Sequence, residues 1–256
     1  MTKRLAVVTG AAGDIGQAIV RRLLQDHDAV LLADRDLAGA ESAARGIGPA
    51  CTGIRVDVTD PASCAALAEA AAAAGGATTL VNNAGAAQGA SLQGTSIENW
   101  QADRALNLDA AFYVFGALAG QLAEKRGSVV NVASVNGLSV FGHPAYSAAK
   151  AGMIHLTRLI AVEYGAKGIR ANAVAPGTVR TRAWQARADA NPDVFREAAE
   201  HYALGRIVAP EDVAEAVGFL ASPLAGAITG VVLPVDCGLT AGIPALARTF
   251  SQTDDY

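Results

Sequence analysis

Apolar residues fall in short runs separated by stretches of helical spacing. Leu5 to Thr9 forms one such run, and Gln17 to Leu24 follows with apolar positions at Ile19, Val20, Leu23 and Leu24. The second pattern places a stripe on one helix face, whereas a short unbroken run suits a strand covered on both sides. The alternation continues along the chain. It predicts strands over 5–9, 29–33, 53–56, 78–82, 127–132, 169–174 and 231–235. It predicts helices over 15–26, 38–45, 62–74, 98–123, 145–166, 192–201 and 210–221. Strands and helices in this order imply an α/β fold, a doubly wound parallel sheet with helices on both faces.

No linker, repeat or low-complexity tract divides the chain, so a single domain over 1–256 is expected. The alanine-rich stretch from Ala68 to Ala77 reads as a helix end stopped by Gly75 and Gly76. Two segments break the rhythm. Residues 178–208 are rich in Arg, Ala, Asp and Asn and follow a strand's C-terminal end. An insertion there overhangs the crevice where ligands bind, so this segment is expected to be a lid. The tail, residues 243–256, is polar and reads as loosely ordered or docked on a neighbouring subunit.

Bulk properties narrow the function classes. A net charge of −4 argues against nucleic acid as a partner. No run reaches the roughly 18 apolar residues of a membrane span. The apolar stretch near the N-terminus is too short for a signal peptide and is interrupted by Gly10 and Asp14, so a cytoplasmic location is expected. Three widely spaced cysteines, Cys51, Cys64 and Cys237, indicate neither a disulfide framework nor a zinc site. His27, His143, His155 and His201 lack metal-ligand spacing and read as structural, so no metal is expected.

The candidate chemistry begins at the first strand. Gly10, Gly13 and Gly16 lie between that strand and the helical spacing that begins at Gln17. Strand, glycine turn and helix together aim backbone N–H groups at a phosphate. The glycine spacing departs from the generic dinucleotide fingerprint, but Asp34 ends the second strand eighteen residues after Gly16. An acid there accepts hydrogen bonds from an adenosine ribose. Farther on, Tyr146 and Lys150 stand four residues apart, which puts them on one helix face, and Ser134 precedes the tyrosine by twelve. A free phenol is only ~1% ionised at pH 8. An adjacent ammonium favours the phenolate, so Lys150 is expected to lower the Tyr146 pKa and make it a usable acid or base. By itself the pair also fits a solvated helix surface.

These motifs, taken in order, resemble the classical short-chain dehydrogenase/reductase family over residues 4–242. Thr9 to Gly16 resembles the family's TGxxxGxG turn. Asn82-Asn83-Ala84-Gly85 matches its NNAG motif, and Asn107 resembles its helix-borne catalytic asparagine. Ser134, Tyr146 and Lys150 match the Ser and Tyr-x3-Lys. Pro176-Gly177-Thr178-Val179-Arg180-Thr181 matches the post-strand segment that closes over the nicotinamide. The resemblance implies a Rossmann-like fold, a homotetramer, and the catalytic set Asn107, Ser134, Tyr146 and Lys150. It also implies a cofactor cleft built from Gly10, Asp14, Ile15, Gly16, Asp34, Arg35, Asp57, Val58, Asn83, Ala84, Gly85, Pro176, Gly177, Val179 and Thr181, with Tyr146 and Lys150 contributing. Lys150 would hold the nicotinamide ribose, and Asn107 would hold a relay water.

Two positions depart from the family pattern. Asp14 replaces a glycine of the turn at a place expected to need positive φ; its carboxylate must point away from the pyrophosphate, and Gly13 could supply the flexibility. Cys237 replaces a late glycine and reads as a buried small residue. Other residues keep two readings from the sequence. Asp57 either accepts the adenine amino group or caps the next helix. Asn107 either holds a relay water or is a structural hydrogen-bonder.

Asp34 points to NAD rather than NADP. A 2′-phosphate brought within 4 Å of a carboxylate is repelled by roughly 4 kcal/mol per unit-charge pair at an effective dielectric near 20; Arg35 offsets part of that. Ser134, Asn136, His143 and Trp184 are the candidate substrate contacts, and Asn136 with His143 suits a sugar or polyol. Alternation along 179–182 turns Arg180 and Arg182 away from the cofactor, toward solvent or, if inward, toward an anionic substrate. Two alternatives compete with an alcohol dehydrogenase. One is a 3-oxoacyl thioester reductase, which Asp34 opposes by disfavouring NADPH. The other is a non-catalytic nucleotide sensor, which needs no general base. The apolar positions Phe112, Phe115, Leu156, Leu159 and Ile160 exceed what one sheet face needs, so some are expected to pair across subunits.

Overall fold

The computed structural model describes residues 3–253 and 255. Seven strands lie where the apolar runs place them: β1 Leu5–Thr9, β2 Ala29–Asp34, β3 Cys51–Arg55, β4 Ala77–Asn82, β5 Ser128–Val132, β6 Arg170–Pro176 and β7 Val232–Val235. They form one sheet in the order β3-β2-β1-β4-β5-β6-β7, and every pairing is parallel. The order reverses between β1 and β4. Ligands of open parallel sheets bind outside the strand C-termini at such a reversal.

Strand alternation feeds two cores. Ala6 and Val8 of β1 face one layer, where Ile19, Val20 and Leu23 of α1 (Asp14–Leu23) meet Val213, Val217 and Leu220 of a helix at Pro210–Ala221. Leu5 and Val7 face the other layer, with Leu67, Phe115, Leu118, Leu122 and Ile160. Each fully buried Leu, Ile or Phe contributes about 1.5–3 kcal/mol, so both layers are needed to hold a sheet of this size. α2 (Leu37–Ile47) and α3 (Pro61–Ala73) complete the first half.

A buried polar thread crosses the lower end of the sheet. His27 Nδ1 lies 3.0 Å from the Leu23 carbonyl and Nε2 lies 2.8 Å from Thr79 Oγ1. The hydroxyl of Ser128, 3.2 Å from Thr79, donates to the Ala221 carbonyl. A carbonyl partner makes Nδ1 the donor, so Nε2 accepts from Thr79. Burial pushes the His27 pKa down to about 4.

The structure departs from the expected elements in three places. The helix expected over 98–123 is split into α4 (Ile97–Arg104) and α5 (Ala110–Glu124) by a π-helical turn over Ala105–Asp109, which carries Asn107. The helix expected over 192–201 is shorter, α8 (Val194–Ala199), and an unexpected helix, α7 (Gln185–Ala190), precedes it in the 178–208 segment, after α6 (Pro144–Tyr164). The polar tail contains α10 (Pro244–Ser251), following α9 (Pro210–Ala221). Pro244 at the first helical position starts it, because its fixed φ suits a helix N-terminus. Of the apolar positions expected to pair across subunits, Phe115 and Ile160 belong to the chain's own core and Leu156 packs against it, while Phe112 and Leu159 are 57% and 45% exposed. Among the described residues, no helix is long and apolar enough to cross a membrane.

Candidate active site

The turn after β1 is set by backbone geometry. Gly10 has φ +62, and a Cβ there would lie 2.8 Å from the Ala84 Cα. Only glycine meets both demands cheaply. Asn83 locks the turn from the side, its amide donating to the carbonyls of Thr9 and Gly10 at 3.0 Å. In return the Thr9 hydroxyl accepts from the N–H groups of Asn83 and Ala84. Gly16 is buried in the first turn of α1. The positive φ expected at Asp14 is not found: Asp14 is the first helical residue, and Gly13 before it is extended at φ −75. The left-handed residue is Gly10, so the chain has finished turning before it reaches Asp14. The Asp14 carboxylate accepts from the backbone N–H and Nε of Arg182, both at 2.6 Å.

At the end of β2, Asp34 Oδ2 accepts from the Ala12 N–H at 3.0 Å and Oδ1 from the Asp36 N–H at 3.1 Å. This pins the carboxylate against the glycine turn. Arg35 is exposed. Asp57 Oδ1 accepts from both the N–H and hydroxyl of Thr59, which hold its carboxyl below the usual range. Asp60, not Asp57, caps α3, through the N–H groups of Ala62 and Ser63. Val58 is buried in the core, so its side chain packs rather than lines the cleft.

The candidate reacting groups come from the end of β5, the π turn and α6. Ser134 follows β5, and its hydroxyl oxygen accepts from the Asn136 N–H at 3.1 Å. Tyr146 and Lys150 lie one turn apart on α6, with Lys150 Nζ 5.6 Å from the Tyr146 ring centroid. The lysine is buried and donates to the Val132 carbonyl at 2.7 Å. Asn107 donates to the carbonyls of Ala86 and Asp103 at 2.7 and 2.8 Å, while its own Oδ1 has no partner among the described residues. A Cβ on Gly85 would stand 2.8 Å from that oxygen and 3.3 Å from Lys150 Nζ. Glycine is therefore required where the asparagine and lysine converge. The π turn explains how an asparagine reaches this point: its extra residue shifts the helix face locally.

The expected lowering of the Tyr146 pKa is not found. Burial pushes the phenol up, the Ser134 hydroxyl offsets part of that, and Asp103 adds to the rise. Burial also pushes the Lys150 ammonium down to about 7. Desolvation disfavours both charged forms and is the largest cause of both shifts. Asp103 was not anticipated from the sequence. It is 1% exposed, receives the Gln88 N–H at 3.3 Å through Oδ2, and leaves Oδ1 without a partner among the described residues. An acid one helical turn before Asn107 was the available signal.

A cavity of about 1260 Å³ joins these parts. Ile15, Asn83, Gly85, Ser134, Asn136, His143, Tyr146, Lys150, Pro176, Gly177, Val179, Thr181 and Trp184 all line it. Gly10, Asp34, Arg35, Asp57, Val58 and Asn107 do not. The Asn136 amide is engaged, donating to the Gly142 carbonyl at 2.9 Å and to Ser147 Oγ at 3.2 Å. His143 has φ +52 and its Nδ1 lies 2.9 Å from the Gly89 carbonyl, which leaves Nε2 as an acceptor. Trp184 packs against Phe195 at 6.2 Å between centroids, and Arg180 stacks on the same ring at 4.6 Å. Arg180 is exposed, as expected for a side chain turned to solvent, and rests on the Phe195 ring rather than on the cavity wall.

Sequence motifs carried no trace of Tyr202, whose hydroxyl accepts the Thr178 N–H at 2.7 Å and holds the lid base, or of Ile243 and Arg248 of the tail, which line the same cavity. Cys237 has φ +49, which accounts for glycine in the family pattern; it is half-buried, and burial holds its thiol up.

A family model described as "Enoyl-(Acyl carrier protein) reductase" matches residues 10–240. With this fold and motif set, the chain belongs to the short-chain dehydrogenase/reductase family. It is 44% identical over 218 residues to "Inactive 2-(S)-hydroxypropyl-CoM dehydrogenase 2" of Xanthobacter autotrophicus, covering 83% of this chain and 95% of that one. It is 42% identical over 248 residues to cis-4-hydroxycyclohexanecarboxylate dehydrogenase of Sinomonas cyclohexanicum, covering 93% and 97%. The crystal structure of an oxidoreductase of this family from Burkholderia thailandensis superposes with a TM-score of 0.94 at 44% identity, covering 100% of both chains.

Proposed function

We propose that this protein is an NAD-dependent dehydrogenase of secondary alcohols, with sugars and polyols as the first substrates to test. The observation that carries the reading is the convergence of Ser134, Tyr146 and Lys150 on the inner wall of one large cavity, beside the glycine turn. The residues present fit a nicotinamide dinucleotide. The turn at Gly10 leaves backbone N–H groups at the start of α1, and Asp34 lies beyond it for a ribose. Pro176, Gly177, Val179 and Thr181 border the cavity on the lid side. When bound, the cofactor supplies a hydride acceptor or donor.

This chain's residues do the proton work. Tyr146 takes the alcohol proton in oxidation and returns one in reduction. Ser134 donates to the substrate oxygen and stabilises charge developing there. Lys150 holds the cofactor ribose, and its ammonium offsets part of the cost of forming a buried phenolate. Asn107 Oδ1 is the acceptor for a relay water, which favours the relay reading over a purely structural one. With the phenol held up and the ammonium held down, oxidation should accelerate as pH rises, and reduction should not need alkali.

Asp34 favours NAD because its carboxylate is fixed by two backbone N–H groups and cannot swing away from a 2′-phosphate. That same constraint opposes the NADPH-dependent thioester reductase. For substrate, the engaged Asn136 amide leaves His143 Nε2 as the hydroxyl-binding handle, in a cavity also lined by Phe141, Trp184 and Ile243. A relative named as a cis-4-hydroxycyclohexanecarboxylate dehydrogenase supports a secondary alcohol, whereas the relative named as an inactive 2-(S)-hydroxypropyl-CoM dehydrogenase does not speak for turnover. The exposed Phe112 and Leu159 support a homotetramer, which light scattering would test. The decisive assay is a panel of sugars, polyols, hydroxy acids and acyl thioesters, each with NAD and NADP, read at the reduced-nicotinamide absorbance. No turnover with any alcohol, together with tight nucleotide binding, would favour the sensor instead.

A further inference from the structure

Arg182 and Asp14 stand 168 positions apart in the chain, and each replaces what simple reading expected of it. Asp14 begins α1, where a carboxylate suits the positive helix end but repels a dinucleotide's phosphates. Arg182 opens the lid with a short 3-10 turn over Arg182–Trp184. Its backbone N–H and its Nε each donate to one Asp14 oxygen at 2.6 Å, and Nη2 reaches the Ala12 carbonyl at 3.4 Å. A two-point contact of this kind fixes direction as well as distance. Of the guanidinium's five N–H donors, Nη1 has no partner among the described residues. The side chain is 72% exposed, so it reaches the glycine turn from outside rather than from the core. Val179 and Thr181, just before it, line the cavity.

We propose that Arg182, aimed by Asp14, is the lid-side half of the cofactor's pyrophosphate site. The glycine turn presents N–H groups from below, and Arg182 presents a cation from above while cancelling the Asp14 charge. Phosphate binding then holds the lid base in this contact, before and without substrate. This rests on the reading of the cleft as a dinucleotide site. It also explains how a carboxylate is tolerated in a phosphate-binding turn.

The test measures binding of ADP-ribose and of adenosine by calorimetry, using the wild type, Arg182→Ala, Asp14→Ala and the double variant. ADP-ribose carries the pyrophosphate without nicotinamide, and adenosine carries neither. Arg182→Ala should weaken ADP-ribose about tenfold or more, the loss of a charge-assisted contact plus an uncompensated carboxylate. Adenosine should change less than about twofold, since it offers no phosphate. Asp14→Ala should bind ADP-ribose at least as well as wild type, and the double variant should recover part of the Arg182→Ala loss. Hydrogen exchange over 178–184 should slow with ADP-ribose alone in wild type but not in Arg182→Ala. Unchanged ADP-ribose affinity in Arg182→Ala, or a double variant no tighter than Arg182→Ala, would overturn the proposal while leaving the cofactor reading intact. A wild type that fails to bind ADP-ribose overturns both.

Discussion

The wall carried by β5 and α6 and the segment 178–208 face the same cavity, yet they hold their side chains by different means. On the first wall, Lys150 and Asn107 are buried and each is tied to backbone carbonyls. Asn136 braces the loop before α6, and His143 is anchored to the Gly89 carbonyl. Lys150 and Asn107 cannot move without breaking buried contacts, and Asn136 and His143 are each pinned to a backbone carbonyl. The lid has short helices and ties at a few points: Thr178 to Tyr202, the Val179–Val208 bridge, Arg180 on Phe195, and Arg182 on Asp14. Reaction chemistry needs fixed geometry, whereas entry and release need a wall that opens at low cost. The difference teaches where to look for each property: rate on the fixed wall, affinity and access on the lid.

The largest expected effect tests the fixed wall. Tyr146→Phe should lower kcat by about a thousandfold, in the range general acid–base groups supply, with NADH affinity unchanged by fluorescence titration. Wild-type-like turnover would remove the phenol from the mechanism.

Next in size is a stability effect at the foot of the same sheet. His27 has a folded pKa of about 4 against 6.5 for the unfolded chain. Between those values the unfolded chain binds a proton that the folded chain does not. Stability is therefore full above pH 6.5 and falls as pH drops toward 4, by up to about 3 kcal/mol. Urea unfolding at pH 7, 5.5 and 4.5 should show the decline, and His27→Gln should flatten it. Equal slopes for both proteins would place the acid sensitivity elsewhere.

Asp34→Ala should raise kcat/KM with NADP relative to NAD by roughly tenfold or more, since one like-charge repulsion is removed. A wild-type preference for NADP would instead shift cofactor selection to Arg35. The smallest effect belongs to the lid. Trp184→Ala should raise the substrate KM a few-fold with little change in kcat, the signature of uniform binding. A matching fall in kcat would show that the lid also shapes the reacting geometry. That would erase the division between the two walls.

Much of this protein was legible in its sequence. Apolar runs located the five inner strands because an inner parallel strand is buried on both faces, a local property of composition, while the edge strands β3 and β7 are only partly buried. The strand–turn–helix order located the glycine turn, and the spacing of Tyr146 and Lys150 put both on one helix turn, because helical periodicity is local too. The tertiary structure decided what depends on distant partners. It inserted a π turn at Asn107, so that the asparagine meets Lys150 over Gly85, and periodicity cannot register one extra residue inside a helix. It placed Arg182, exposed as strand alternation expected, on Asp14, a partner that alternation cannot name. It brought Tyr202 and the tail into the cavity wall. It also reversed the expected shift of the Tyr146 pKa, because how much water a phenol and its ammonium lose depends on every element packed around them.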